Sequence, residues 1–132
     1  MAIKTSYHTI EPYRTKDGSL IRELLHPAVH GSQGMSLAEA VVNPGRETLV
    51  HRHNGTQEIY HITEGSGLMT LGAETFSVQI GDSVFIPAGV AHGIKNTSRV
   101  RLKLLCCCSP PYSHDDTEIM DISLDRRNDD SL

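Results

Sequence analysis

The sequence predicts an all-β fold, a barrel or sandwich of short strands, on three observations. Roughly nine or ten strand-like runs are separated by turn signals every six to twelve residues or so. Two of the turns, Asn54-Gly55 and Gly72-Ala73, are two-residue pairs of the kind that closes hairpins. Aromatic content is only 5% with no Trp, so the core rests on Val, Ile, Leu and Met, which suits short aliphatic strands. Periodicity by itself does not separate a barrel from a sandwich.

In chain order, residues 1–19 are mixed and polar, with Pro12 and Asp17-Gly18 as turn signals, and read as an N-terminal arm or edge strand. Residues 20–25, LIRELL, suit a strand or one helical turn. Residues 27–34 form a loop broken by Gly31 and Gly34, and residues 36–42 alternate weakly before the turn Asn43-Pro44-Gly45. In the next run His51 and His53 are two apart, so on a strand both imidazoles leave one face. Asn54-Gly55 then predicts that the chain turns straight back into QEIYHITE, bringing the Glu58 carboxylate beside the two rings. If Glu58 points inward, Tyr60 and Ile62 share its face while Ile59 and His61 point away. Residues 68–71 and 74–78 pair about Gly72-Ala73, and Gly81-Asp82 turns the chain into residues 83–86. Pro87 and Gly89 make a tight turn ahead of His92, and residues 92–94 and 100–106 complete the set.

Two stretches carry chemistry. Gly45, His51, His53, Glu58 and Gly65 match the pattern glycine, five residues, H-x-H, three or four residues, glutamate, six residues, glycine. Gly81, Pro87, Gly89, His92 and Asn96 match glycine, five residues, P-x-G, two residues, histidine, three residues, asparagine. An H-x-H pair alone is a weak signal; two complete motifs in order are a strong one. The chain resembles the cupin superfamily, small single-domain members in particular, with the motifs covering residues 45–96 and the strand pattern extending the likeness to a barrel over residues 20–108. That resemblance implies a double-stranded β-helix or jelly-roll barrel. It also implies one divalent transition metal held by His51, His53, Glu58 and His92. Three imidazoles and a carboxylate suit Mn, Fe, Ni, Zn or Cu. An octahedral ion would keep two positions for substrate or dioxygen, whereas a tetrahedral zinc would be closed and structural.

Cupins of this kind include dioxygenases, decarboxylases and isomerases as well as proteins that only bind. The resemblance therefore implies a metal-dependent enzyme acting on a small oxygenated metabolite, with a non-catalytic sugar- or small-acid-binding barrel, or a structural metal site, as alternatives. It further implies a homodimer paired through sheet edges. Tyr60 is a candidate catalytic residue near the metal, with a core aromatic as the other reading. Residues 109–117, after the last barrel strand, place Tyr112 and His114 as candidates to fold over the barrel mouth, His114 as a second candidate catalytic residue; a surface loop is the alternative. Cys106 and Cys108 share one strand face and Cys107 the other, as small hydrophobes or as a redox-sensitive thiol.

Residues 1–112 carry ten Lys and Arg against nine Asp and Glu, while residues 113–132 carry two against seven. A near-neutral body with no basic stripe excludes nucleic acid and an anionic membrane as partners and leaves a small molecule. Residues 109–132 read as a C-terminal loop and acidic tail, with residues 119–132 a short helix or a frayed end. There is no secretion-signal pattern, no run of eighteen apolar residues, and an odd, consecutive set of three cysteines, which predicts a soluble cytoplasmic protein.

Overall fold

The computed structural model describes residues 2–120. Two antiparallel sheets face each other across one core. The strands are β1 (Tyr13–Arg14), β2 (Leu20–Leu25), β3 (Ser36–Val42), β4 (His51–His53), β5 (Gln57–Glu64), β6 (Ser66–Leu71), β7 (Glu74–Gln79), β8 (Ser83–Ile86), β9 (His92–Asn96), β10 (Leu102–Ser109) and β11 (Thr117–Ile119). One sheet runs β1-β2-β3-β10-β5-β8 and the other β11-β4-β9-β6-β7. This is the expected jelly-roll arrangement. Residues 20–25 are strand, and the loop at 27–34 contains one short helix, α1 (Pro27–His30), which His26 caps by accepting from Ala28 N through Nδ1. No helix among the described residues is long and apolar enough to cross a membrane.

Inward positions explain why the barrel is packed at one end and hollow at the other. On β3 the buried series runs Ser36, Ala38, Ala40, Val42, and on β10 it runs Leu102, Leu104, Cys106, Cys108. Their antiparallel register sets Val42 opposite Leu102 and Ser36 opposite Cys108, so large side chains share one end and small ones the other. Ile62, Met69 and Leu102 pack that end, Leu104 lies between it and the cavity, and Ile86 stands beside Glu58. The small end leaves a cavity, and β5 delivers Glu58 into it opposite Cys108. Burial along β5 alternates as predicted, with Glu58, Tyr60 and Ile62 inside, Ile59 exposed, and His61 on the outer side bonded to Ser83 Oγ.

The Asn54-Gly55 hairpin is corrected. β4 and β5 do not pair: β4 lies between β9 and β11 in one sheet, β5 between β10 and β8 in the other, and Asn54-Gly55 is the corner between sheets. Neither residue has the positive φ that a two-residue hairpin needs. Their amides are taken by the C-terminal segment instead, Asn54 N donating to Asp116 O at 3.0 Å and Gly55 N to the Asp116 carboxylate at 3.0 Å. The Gly72-Ala73 hairpin forms as predicted, with Leu71 opposite Glu74 and Gly72 at φ 59°.

Asn96 ties the two motifs together. Its amide nitrogen donates to Val42 O and Val100 O at 2.8 Å each, its side-chain oxygen accepts from Ser98 N and Ser98 Oγ, and Gly45 N donates to its backbone carbonyl. The side chain is fully buried. Asn96→Ala would strand these carbonyls and amides, at about 1–3 kcal/mol for each buried group left unpaired, so a total loss of about 3 kcal/mol is expected. Urea denaturation with a lowered midpoint and an unchanged slope checks it.

Residues 109–132, read as loop and tail, carry structure as far as residue 120. After Ser109 the chain crosses the cavity mouth and adds β11 to the edge of β4, with Thr117 opposite His53 and Ile119 opposite His51. The expectation of a short helix or frayed tail falls outside the described residues except for Ile119 and Met120.

Candidate metal centre

The H-x-H spacing on β4 aims both rings inward, and the β4–β9 register places His92 directly opposite His51. The three rings are buried and their ligand nitrogens lie within 4.8 Å of one another. Glu58 Oε1 is 3.2 Å from His53 Nε2 and 3.3 Å from His92 Nε2. The structure thus brings together all four residues that the motifs single out.

Each ring is oriented by a bond on its far side. His51 Nδ1 donates to Leu49 O at 2.8 Å and His92 Nδ1 to Val90 O at 3.1 Å, since a carbonyl can only accept. His53 Nδ1 meets Thr117 Oγ1 at 3.0 Å, and the threonine proton is already committed to Ser113 O at 2.8 Å, so His53 also donates there. With Nδ1 donating in each ring, Nε2 is the atom that each ring turns to the cavity and the one that can present a lone pair to an ion. His92 Nε2 and Glu58 Oε1 are buried and have no hydrogen-bond partner, since with the His92 proton on Nδ1 both atoms can only accept. Converging lone pairs with no donor between them fit a cation. Three imidazoles and a carboxylate are the donor chemistry of a divalent transition metal.

The electrostatics agree. Burial opposes charge on Glu58; only hydrogen-bond donation or positive charge from the side of His53 and His92 holds the carboxyl down to about 2, and with both Nε2 lone pairs turned inward a cation between them would take that role. Burial, then His92, lowers His51, keeping that ring neutral as a ligand must be. Burial raises the thiols of Cys106 and Cys108 and the phenol of Tyr60, so all three stay protonated. Cys108 donates weakly to Glu58 Oε2 at 3.4 Å. Cys106 and Cys108 face inward and Cys107 is half-buried on the other face, as the strand parity predicts.

Tyr60 lies in the cavity wall, its ring 5.8 Å from that of His92. Tyr112 lines the cavity at its mouth, edge-on to His53 at 5.5 Å and bonded to Thr15 Oγ1 at 3.0 Å. His114 lies outside the cavity and is exposed; it touches two cavity-lining residues from behind, the Tyr112 hydroxyl 2.9 Å from its Nδ1 and the Tyr13 ring edge-on at 6.1 Å. Two residues that motif reading does not reach also face the centre. Thr117 fixes the His53 tautomer, and Asp17 places Oδ2 at 3.6 Å from His51 Nε2. Neither has a local sequence signal: Asp17-Gly18 reads as a turn and Thr117 as part of a polar loop.

An uncharacterized protein of Methanocaldococcus jannaschii is 56% identical over 119 residues, 90% of this chain and 95% of that one. The oxalate-binding protein of Thermotoga maritima is 29% identical over 86 residues, 65% and 67% of the respective chains. The polyketide cyclase RemF of Streptomyces resistomycificus superposes with a TM-score of 0.80 over 100% of this chain and 94% of its own at 20% identity, a likeness of fold. The cupin domain family model matches residues 38–108, which span β3 through β10 apart from two residues at the start of β3 and one at the end of β10 and hold His51, His53, Glu58 and His92, and the chain belongs to the cupin family.

Proposed function

We propose that this chain is a divalent-metal-dependent enzyme acting on a small oxygenated metabolite, with His51, His53, His92 and Glu58 as the ion's ligands. The observation that carries this reading is the set of three buried imidazoles, each fixed through Nδ1 and with ligand nitrogens within 4.8 Å of one another, two of which, His53 and His92, turn Nε2 to an unpartnered Glu58 oxygen. A bound divalent ion supplies Lewis acidity toward a carbonyl or hydroxyl oxygen. The chain's own groups do the rest. Tyr60, kept protonated by burial, stands in the wall as a proton and hydrogen-bond donor to a ligand. Tyr112 covers the mouth and limits water, and His114 is a positioning residue for the Tyr112 hydroxyl. The free interior is about 40 Å³; with about 10–15 Å³ of such space per water, it suits a ligand of few heavy atoms.

A binding-only barrel is the second reading, favoured by the likeness to a Thermotoga maritima protein named for binding oxalate. Elemental analysis of the purified protein beside His51→Ala and His92→Ala, followed by turnover and oxygen-uptake assays over keto acids, diketones and hydroxyketones, separates the two. Near-stoichiometric metal lost in both folded variants, with turnover of one panel member, is the expected result. Metal without turnover leaves the binding barrel, and no metal under any loading condition overturns the ligand assignment.

A further inference from the structure

The cavity is more acidic than four metal ligands require. Asp17 lies between β1 and β2, outside both motifs, yet it is 9% exposed. Its Oδ1 accepts from Ser19 N at 2.9 Å and Ser19 Oγ at 2.6 Å, which leaves Oδ2 aimed at His51 Nε2. The backbone repeats the link: Leu49 N donates to Asp17 O, and Leu49 O accepts from His51 Nδ1. Asp17 is therefore held against the metal-facing side of His51, while Glu58 holds the side of His53 and His92. A third carboxylate, Glu23, lines the same cavity, with Oε1 accepting from Tyr13 and Oε2 buried without a partner. Among the described residues no Lys or Arg lines it.

Buried carboxylates need a nearby cation, and none is supplied by the protein's own basic side chains. One divalent ion balances two carboxylates. Resting on the reading of the histidine cluster as a metal centre, we propose that Asp17 closes the charge of that centre, so that the cavity takes a small uncharged chelating ligand such as a hydroxyketone or diol and rejects carboxylates. A dianion entering this space would face Asp17 and Glu23 across a low-dielectric cavity with no ammonium or guanidinium to meet it. A hydroxyl or carbonyl oxygen brings no charge, and the Tyr, Ser and Thr groups in the wall suit it: Tyr13, Thr15, Ser19, Ser36, Tyr60 and Thr117.

The test uses two probes of similar size and chelating geometry, oxalate and hydroxyacetone, titrated at fixed pH into the Co(II)-loaded protein. Ligand exchange is read from the visible Co(II) bands, and metal retention by elemental analysis after gel filtration. Wild type is expected to bind hydroxyacetone more tightly than oxalate, reversing the order that a dianion and a neutral chelator show toward free Co(II). Asp17→Asn is expected to tighten oxalate at least tenfold while hydroxyacetone changes less than twofold. Glu23→Gln, which removes a lining charge without touching the histidines, should move oxalate the same way by at least threefold and serves if Asp17→Asn fails to fold or to hold metal. Wild type preferring oxalate, or variants that change both probes equally, would overturn the charge proposal while leaving the metal centre intact. Absence of Co(II) bands in wild type would instead overturn the metal centre, and this proposal with it.

Discussion

Glu58→Gln is expected to abolish most of the thermal stabilisation that metal gives this protein. The substitution keeps the shape of the side chain but removes the charge that faces His53 and His92 at 3.2 and 3.3 Å. Losing one partner of a buried charge pair costs about 3–5 kcal/mol, and even the lower figure is a roughly hundredfold loss of affinity. At a free metal concentration 100 times the wild-type Kd, binding stabilises the native state by about 2.7 kcal/mol; at one times Kd the gain falls to about 0.4 kcal/mol. With about 4 °C per kcal/mol for a chain of this size, wild type should gain about 11 °C and the variant less than about 2 °C at the same metal concentration. Differential scanning calorimetry with and without metal reads both numbers. Equal shifts in the two proteins would remove Glu58 from the ligand set.

Gly67→Ala is expected to destabilise the fold more than any ligand change. Gly67 sits inside β6, where a Cβ would stand 2.4 Å from Lys95 O and 3.2 Å from Leu102 Cδ2. The first neighbour is backbone in β9, paired with β6 through the whole register from Gly67–Asn96 to Leu71–His92, so it cannot yield alone. Forcing strands apart in a packed core costs about 3 kcal/mol or more, a large part of a typical 5–15 kcal/mol total. The midpoint of thermal unfolding should fall by roughly 12 °C. Since β9 also carries His92, metal affinity should fall with it. A midpoint within 3 °C or so of wild type would mean that β9 gives way easily, against the packing described.

The four candidate residues were legible because they fill the motif positions of the cupin resemblance, and strand parity accounts for part of their placement, whereas the hairpin expected to bring Glu58 to the histidines does not form. His51 and His53 share a face by strand parity, Glu58 and Tyr60 by the same rule one strand later, and the P-x-G turn fixes where His92 begins its strand. What local reading could not supply is which strands become neighbours. Asn54-Gly55 carries a hairpin's composition, yet β4 finds better partners in β9 and β11, and Asp116 takes the amides that a hairpin turn would have used. Asp17 and Thr117 escaped for the same reason. A turn aspartate and a loop threonine become site residues only when segments about a hundred positions apart close on one cavity. The tyrosine and histidine at 112 and 114 show the limit from the other side, since one lines the cavity and the other stands behind it, although both follow the same strand.

The strand that orients His53 has a bearing on the order in which the protein acquires its chemistry during synthesis. His51, His53, Glu58 and His92 have all been translated by residue 92, and the pairing of β9 with β4 needs nothing later in the chain than β9 itself. Thr117 follows them by twenty-five positions, and until it arrives the His53 ring has no neighbour holding its proton on Nδ1. On the proposed metal reading, a nascent barrel would hold the His53 donor less firmly than the finished one. Docking of β11 fixes the last of the three rings, so the donor set is complete in orientation only when the segment after the barrel has paired with β4.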